Sequence, residues 1–182
     1  MNTSTMTRPP LRIALRPVDP RCDADIEWVA QGMRQTLIEV EGEAVGTALY
    51  DMDWLRARVR WHLDPAQCAG AVLLAEDVDG HIVGHTLLRI EPADAEWPRH
   101  GLFSTTFVAP AARRGGIATQ LLQAGEDWMR ARRLPEAATW TSATNAKLIA
   151  LFAGHHYVIT ARHVHEVTQT EMVRLSRVLA RT

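Results

Sequence analysis

The sequence predicts a mixed α/β domain: a mostly antiparallel sheet of about seven strands, flanked by about four helices. Three observations lead there. Apolar period switches between two and 3.6 along the chain in the order β, α, α, β, β, β, α, β, α, β, β. A strand–helix–strand crossover spans residues 102–143, which requires one parallel pair inside an otherwise antiparallel sheet. The length of 182 residues, with no Pro/Gly/Ser linker and no internal repeat, suits one domain over residues 11–182 behind a short polar tail, residues 1–10.

The elements follow in order. In residues 11–16, Leu11, Ile13 and Leu15 alternate with Arg12, Ala14 and Arg16, a first strand. Asp23 and Asp25 precede a helical pattern of Ile26, Val29, Ala30, Met33 and Leu37. The acidic, Gly-containing stretch Glu39–Gly46 reads as a loop. Asp51 and Asp53 can cap a second helix carrying Trp54, Leu55, Val59 and Leu63, stopped by Asp64-Pro65. Ala71–Glu76 and His81–Glu91 are strand runs joined by Asp77-Val78-Asp79-Gly80, a hairpin signal. After the loop Pro92–His100 comes the strand Leu102–Val108, rich in aromatic and β-branched residues. Pro110–Gly116 breaks it. A helix over Ile117–Arg133 has Ile117, Leu121, Leu122, Trp128 and Met129 on its apolar face, and Leu134-Pro135 ends it. Ala138–Ala143 reads as a strand, Asn145–Ala153 as a short helix, and Tyr157–Val167 with Glu171–Leu179 as a closing antiparallel pair.

Composition narrows the function. The chain has 20 Lys+Arg against 21 Asp+Glu, a formal net charge of −1, which argues against bulk binding to nucleic acid or anionic membrane. All but one of the basic residues are arginines; Lys147 is the exception. Cys22 and Cys68 are too few for a disulfide framework or a Cys-based zinc site. No apolar run reaches the roughly 18 residues that span a bilayer, and the N-terminus has no apolar core of a secretion signal, so a cytoplasmic location is expected. His155, His156, His163 and His165 cluster near the end without zinc-ligand spacing, and no metal is expected.

The stretch that carries chemistry is Phe107-Val108-Ala109-Pro110-Ala111-Ala112-Arg113-Arg114-Gly115-Gly116-Ile117-Ala118. A strand stops, proline blocks continuation, and an Arg/Gly loop opens into a helix. Backbone N–H groups and the positive end of the helix dipole there favour a phosphate or pyrophosphate. Gly115, Gly116 and Ala118 allow close approach to the backbone. Arg113 and Arg114 add charge, and Thr119 adds a hydroxyl. Neither a Walker loop nor a GxGxxG is present.

This segment resembles the acyl-CoA signature of the GNAT superfamily of N-acetyltransferases, V-x-P-x-x-[RQ]-x-x-G-[IL]-[GA]. Val108, Pro110, Arg113, Gly116, Ile117 and Ala118 match it. The resemblance runs from about residue 11 to 180. A second signature, N-x-x-A-x-x-L-Y-x-x-x-G-F, falls on Asn145 to Tyr157. Asn145, Leu151 and Tyr157 fit, whereas Leu148, Phe152 and His156 depart from it. Phe152 replaces a tyrosine that in many members contacts the CoA sulfur and can protonate the leaving thiolate. Phenylalanine has no such proton.

The resemblance implies a central parallel pair that splays, opening a slot for the pantetheine arm between the strand ending at Val108 and the strand at 138–143. It implies direct acetyl transfer from acetyl-CoA to an amine of a small molecule or peptide. The cofactor residues are then Phe107, Val108, Ala109, Arg113, Arg114, Gly115, Gly116, Ile117, Ala118, Thr119, Asn145 and Phe152. The Val108 backbone N–H would polarise the thioester carbonyl. A lysine-like amine, with a pKa of about 10.4, needs a general base. The fourth strand offers Ser104, Thr105 and Thr106 but no carboxylate, leaving Glu91, Glu76, His85 and His100, of which Glu91 is the favoured candidate.

Glu39, Glu41, Glu43, Asp51 and Asp53 fall where the first two helices wall the acceptor site in this family; they could attract a cationic amine or be a solvated loop with a cap. Trp54, Trp61 and Trp97 could line an acceptor pocket, although the spacing of Trp54 with Leu55 and Val59 also suits the core. Dimers are common in the resembling family, so a homodimer is one expectation. The rival from another class is a CoA-binding sensor that transfers nothing.

Overall fold

A computed structural model describes residues 11–179; the tail read at residues 1–10 lies outside them. The order is β1 (Ala14–Pro17), α1 (Asp23–Glu41), α2 (Glu43–Ala48), α3 (Met52–Leu63), β2 (Gly70–Glu76), β3 (Ile82–Glu91), β4 (His100–Val108), α4 (Ile117–Ala131), β5 (Glu136–Ser142), α5 (Ala146–Gly154), β6 (Val158–Val164) and β7 (Glu171–Val178). The seven strands form one sheet in the order β1-β2-β3-β4-β5-β7-β6. Every neighbouring pair is antiparallel except β4 and β5. No helix among the described residues is long and apolar enough to cross a membrane.

The stretch read as an acidic loop is mostly helical. Glu39, Val40 and Glu41 continue α1, because no Gly or Pro occurs from Met33 until Gly42 ends the helix at φ 85°. A fifth helix, α2, then folds back. Gly46 allows this, since a Cβ there would lie 2.6 Å from the Ile38 backbone. Arg34 of α1 secures the turn, with Nη1 donating to the carbonyls of Gly46 (3.0 Å) and Thr47 and Nη2 to that of Tyr50.

Helices cover both faces of the sheet. Ile26, Val29 and Met33 of α1 and Leu55 and Val59 of α3 bury Val72, Leu74 and Leu87 on one face. Leu122 and Met129 of α4 and Phe152 of α5 bury Leu88, Phe103, Val173 and Leu175 on the other. Buried charges are paired, as desolvation demands. Arg16 clamps Asp25 through both Nη atoms (2.6 and 3.0 Å) and gives Nε to Glu76 (2.6 Å), tying α1 to β1 and β2. Glu126 of α4 receives Arg130 (2.6 Å), Arg177 (3.1 Å) and the Tyr157 hydroxyl (3.0 Å).

The centre of the sheet is open. Parallel pairing of β4 with β5 covers only Gly101↔Ala137, Leu102↔Ala138 and Phe103↔Thr139. Beyond Phe103 the strands part. On the other side of β4 the register steps from Leu88↔Phe103 to Leu87↔Thr105, so Ser104 is the extra residue of a β-bulge. A bulge bends a strand and re-aims a side chain. Bulge and parting occur at the same residue.

Candidate functional site

The gap between β4 and β5 joins two cavities. The larger, about 1020 Å³, lies over the loop 110–116, the start of α4 and the start of α5. The smaller, about 270 Å³, lies under α1, α3 and the α2–α3 connection. Thr36, Val40, Thr106, Asn145 and Leu148 line both.

The larger cavity has features that suit a phosphate-bearing ligand. Gly116 takes the left-handed conformation (φ 75°) and caps α4 with no side-chain acceptor, so the first-turn N–H groups of α4 have no side-chain cap. Arg114 precedes it at φ 64°, and Arg113 and Lys147 flank the opening. Of the residues expected here, Phe107, Val108, Arg113, Arg114, Gly116, Ile117, Ala118, Thr119 and Asn145 line the cavity.

Ala109, Gly115 and Phe152 do not. The Ala109 N–H is spent on the Val83 carbonyl (2.9 Å). Gly115 is small for a different reason than ligand approach: a Cβ there would meet Leu11 at 2.3 Å, and its carbonyl receives the Leu11 N–H. Phe152 is a core residue, edge-on to Phe103 (5.5 Å) and Tyr157 (4.8 Å). Arg113 is already engaged, with Nε on the Val108 carbonyl (2.9 Å) and Nη2 on Glu39 (2.7 Å).

Val108 faces the gap. In an antiparallel ladder, backbone groups point alternately toward and away from a given neighbour. Ala109 donates to Val83 of β3, so the N–H of Val108 points to the side that β5 has left.

The smaller cavity is walled by the stacked rings of Tyr50 and Trp54 (3.9 Å, 13°). Trp54 therefore lies off the buried stripe of α3, which is Leu55, Val59 and His62. Trp61 sits under Arg58 and Trp97 stacks on Arg174, both away from this lining. His62 was not anticipated, though its spacing after Leu55 and Val59 put it on the buried face. Its Nδ1 faces the Arg58 carbonyl (2.9 Å) and its Nε2 the Ser104 Oγ (3.1 Å). That pattern assigns the hydrogen to Nδ1 and makes Nε2 the acceptor. Burial, with Arg58 and Arg89 close by, pushes the His62 pKa down to about 4, so the ring is neutral near pH 7.

The carboxylates divide. Glu91 lies outside both linings, ion-paired to Arg89, whose Nη1 donates to Ser104 Oγ at 3.0 Å. Glu41 lines the smaller cavity and accepts from the Thr170 hydroxyl at 2.9 Å. Glu39 is at the larger cavity, Asp51 caps α3 through the Trp54 N–H, and Asp53 pairs with Arg56. His85 is fully buried against Trp28 and Phe107 with no hydrogen-bond partner, and Glu76 holds Arg16.

Residues 54–157, more than half of the chain, match the pattern of the Acetyltransferase (GNAT) family. The chain belongs to this family. Two curated relatives agree. The GNAT chain is 34% identical over 131 residues to the mycothiol acetyltransferase of Clavibacter michiganensis subsp. michiganensis, covering 71% of this chain and 38% of that protein. It is 36% identical over 78 residues to an aminoglycoside N(6')-acetyltransferase type 1 of Klebsiella aerogenes, covering 42% and 51%. It thus spans about half the length of these relatives, or less. Among solved structures, yncA of Salmonella typhimurium, a putative acetyltransferase described with its cofactor acetyl-CoA, superposes with a TM-score of 0.70 at 16% identity, over 93% of this chain and 95% of that one. This likeness concerns the GNAT fold alone.

Proposed function

We propose that the protein is an N-acetyltransferase that moves the acetyl group of acetyl-CoA to an amine of a small molecule or peptide. One observation carries the reading: a phosphate-suited cavity and an aromatic-walled cavity meet at the gap between β4 and β5, where the Val108 N–H points.

In this reading the first-turn amides of α4, with Arg113, Arg114 and Lys147, hold the phosphates of the donor. The Val108 N–H stabilises charge on the thioester oxygen as the amine nitrogen bonds to the acetyl carbon and the carbon–sulfur bond breaks. The thiolate takes up a proton from water, since Phe152 has none to give and is buried elsewhere.

The acceptor arrives as an ammonium and its nitrogen loses two protons, one before attack and one as the amide forms; one balances the proton taken up by the thiolate and the other leaves to solvent. Glu41 is the one carboxylate lining the acceptor cavity, and we assign it the role of base in preference to Glu91. Glu91 acts at a distance, by orienting Arg89. The composition, with two unpaired cysteines, supports a cytoplasmic site of action.

Kinetics of acetyl-CoA-dependent thiol release test this. Glu41→Gln is expected to lower kcat/KM by about 10²-fold, the ordinary contribution of a general base. Glu91→Gln should cost less than tenfold. The reverse order would return the role of base to Glu91.

A further inference from the structure

Within the acetyl-transfer reading just given, the acceptor cavity also shows what the amine must carry. Its wall on the β3 side holds two guanidinium groups, Arg58 of α3 and Arg89 of β3. Arg89 is balanced by Glu91 and anchored to Ser104. Arg58 is not balanced: its guanidinium has no hydrogen bond or ion pair with any described residue and lies over the Trp61 ring at 4.1 Å.

The neighbours do not supply the missing charge. His62 is neutral, and its Nε2 accepts from the Ser104 hydroxyl. Cys68 is buried, and burial raises its thiol pKa, so it stays protonated. Burial and the nearby charge of Arg89 both disfavour the Arg58 cation, which nevertheless persists because arginine holds its proton strongly. Counting Arg58, Arg89, Glu91 and neutral His62, this wall carries one uncompensated positive charge.

The only carboxylate in the lining, Glu41, is on a different wall, bonded to Thr170 just before β7. The cavity is therefore polarised, anionic toward the β6–β7 connection and cationic toward α3 and β3. A half-buried cation without a partner is stabilised when a ligand brings the anion. The guanidinium lies over the Trp61 ring with none of its N–H groups spent on a described residue, so two of them can receive a carboxylate in parallel.

We propose that the acceptor is an amine that also bears a carboxylate, an amino acid or short peptide, and that Arg58 binds that carboxylate and sets specificity. Arg58 is a binding residue and takes no part in the bond changes.

The test compares free amino acids and dipeptides with their C-terminal amides as acceptors, by acetyl-CoA-dependent release of free CoA. The wild-type protein should prefer the acid over the matched amide by tenfold or more in kcat/KM. Arg58→Gln should remove the preference by weakening the acid series alone, mainly through KM, and Arg58→Lys should restore part of it. Equal use of acids and amides by the wild type, or better use of the amides, overturns the proposal while leaving acetyl transfer intact. If neither series is acetylated although acetyl-CoA binds by calorimetry, and simple diamines are acetylated, the proposal alone fails. If no amine is acetylated at all, the acetyl-transfer reading fails with it.

Discussion

Arg113 donates from Nη2 to Glu39 at 2.7 Å, joining the loop before α4 to the end of α1 across the mouth of the larger cavity. The same guanidinium holds the Val108 carbonyl through Nε at 2.9 Å. A phosphate arriving at α4 competes with Glu39 for this arginine. Glu39→Gln is therefore expected to tighten acetyl-CoA binding by a few-fold. Arg113→Ala should weaken it about tenfold, or about 1.4 kcal/mol. Calorimetric titration of acetyl-CoA measures both. Equal affinities in the two variants would reduce Arg113 to a strut.

Val108→Pro removes the donor that faces the gap. That N–H is not part of the β3–β4 ladder, so the substitution spares the sheet bonds. The expected result is a 10²- to 10³-fold fall in kcat, the usual cost of one oxyanion donor, with acetyl-CoA affinity changed only a few-fold. An unchanged kcat at intact fold would remove Val108 from the mechanism.

Acid should destabilise the protein through two histidines. His62 and His85 have pKa values pushed down to about 4 and about 3 by burial, against 6.5 when exposed. Near pH 7 and above, both are neutral folded or unfolded, and neither penalises the fold. Below pH 6.5 the unfolded chain binds protons that the folded one refuses, so stability is lost progressively until pH falls through 4 and 3. Each contributes a slope of about 1.4 kcal/mol per pH unit in that window. Urea unfolding between pH 7.5 and 5 checks this, and His85→Leu should roughly halve the slope. His85 has no hydrogen-bond partner, so that variant is also expected to be at least as stable at pH 7.

Gly125 lies inside α4, where alanine is normally better by about 1 kcal/mol. Here a Cβ would meet the Phe103 ring at 2.3 and 2.7 Å. That ring is wedged against Phe152 and cannot yield. Gly125→Ala is expected to destabilise by about 1–3 kcal/mol, the cost of overpacking. A gain in the urea midpoint would contradict the packing account.

Much of the fold was legible because its cues are local. Asp51, Asp77-Val78-Asp79-Gly80 and Pro110 punctuate the chain through their own side-chain and ring chemistry. The start of α4 was legible for the same reason, since Gly116 is both motif residue and left-handed cap. The helical nature of 39–41 was obscured by the polarity of two glutamates on a solvated turn. The acceptor cavity was not legible. Ser104 acts there because a bulge re-aims it, and a bulge is set by two neighbouring strands rather than by its own sequence. Phe152 and Gly115 show the opposite error: positions inside a motif whose side-chain space is fixed by the core and by Leu11.

The most direct measurement is mass spectrometry of the protein incubated with acetyl-CoA and a panel of amines, with free CoA quantified in parallel. The expected result is an amine product carrying one added acetyl group, equimolar with CoA released, and loss of both in Val108→Pro. Acetyl-CoA that binds tightly and stays intact with every amine would contradict it, and would make the protein a CoA-binding sensor.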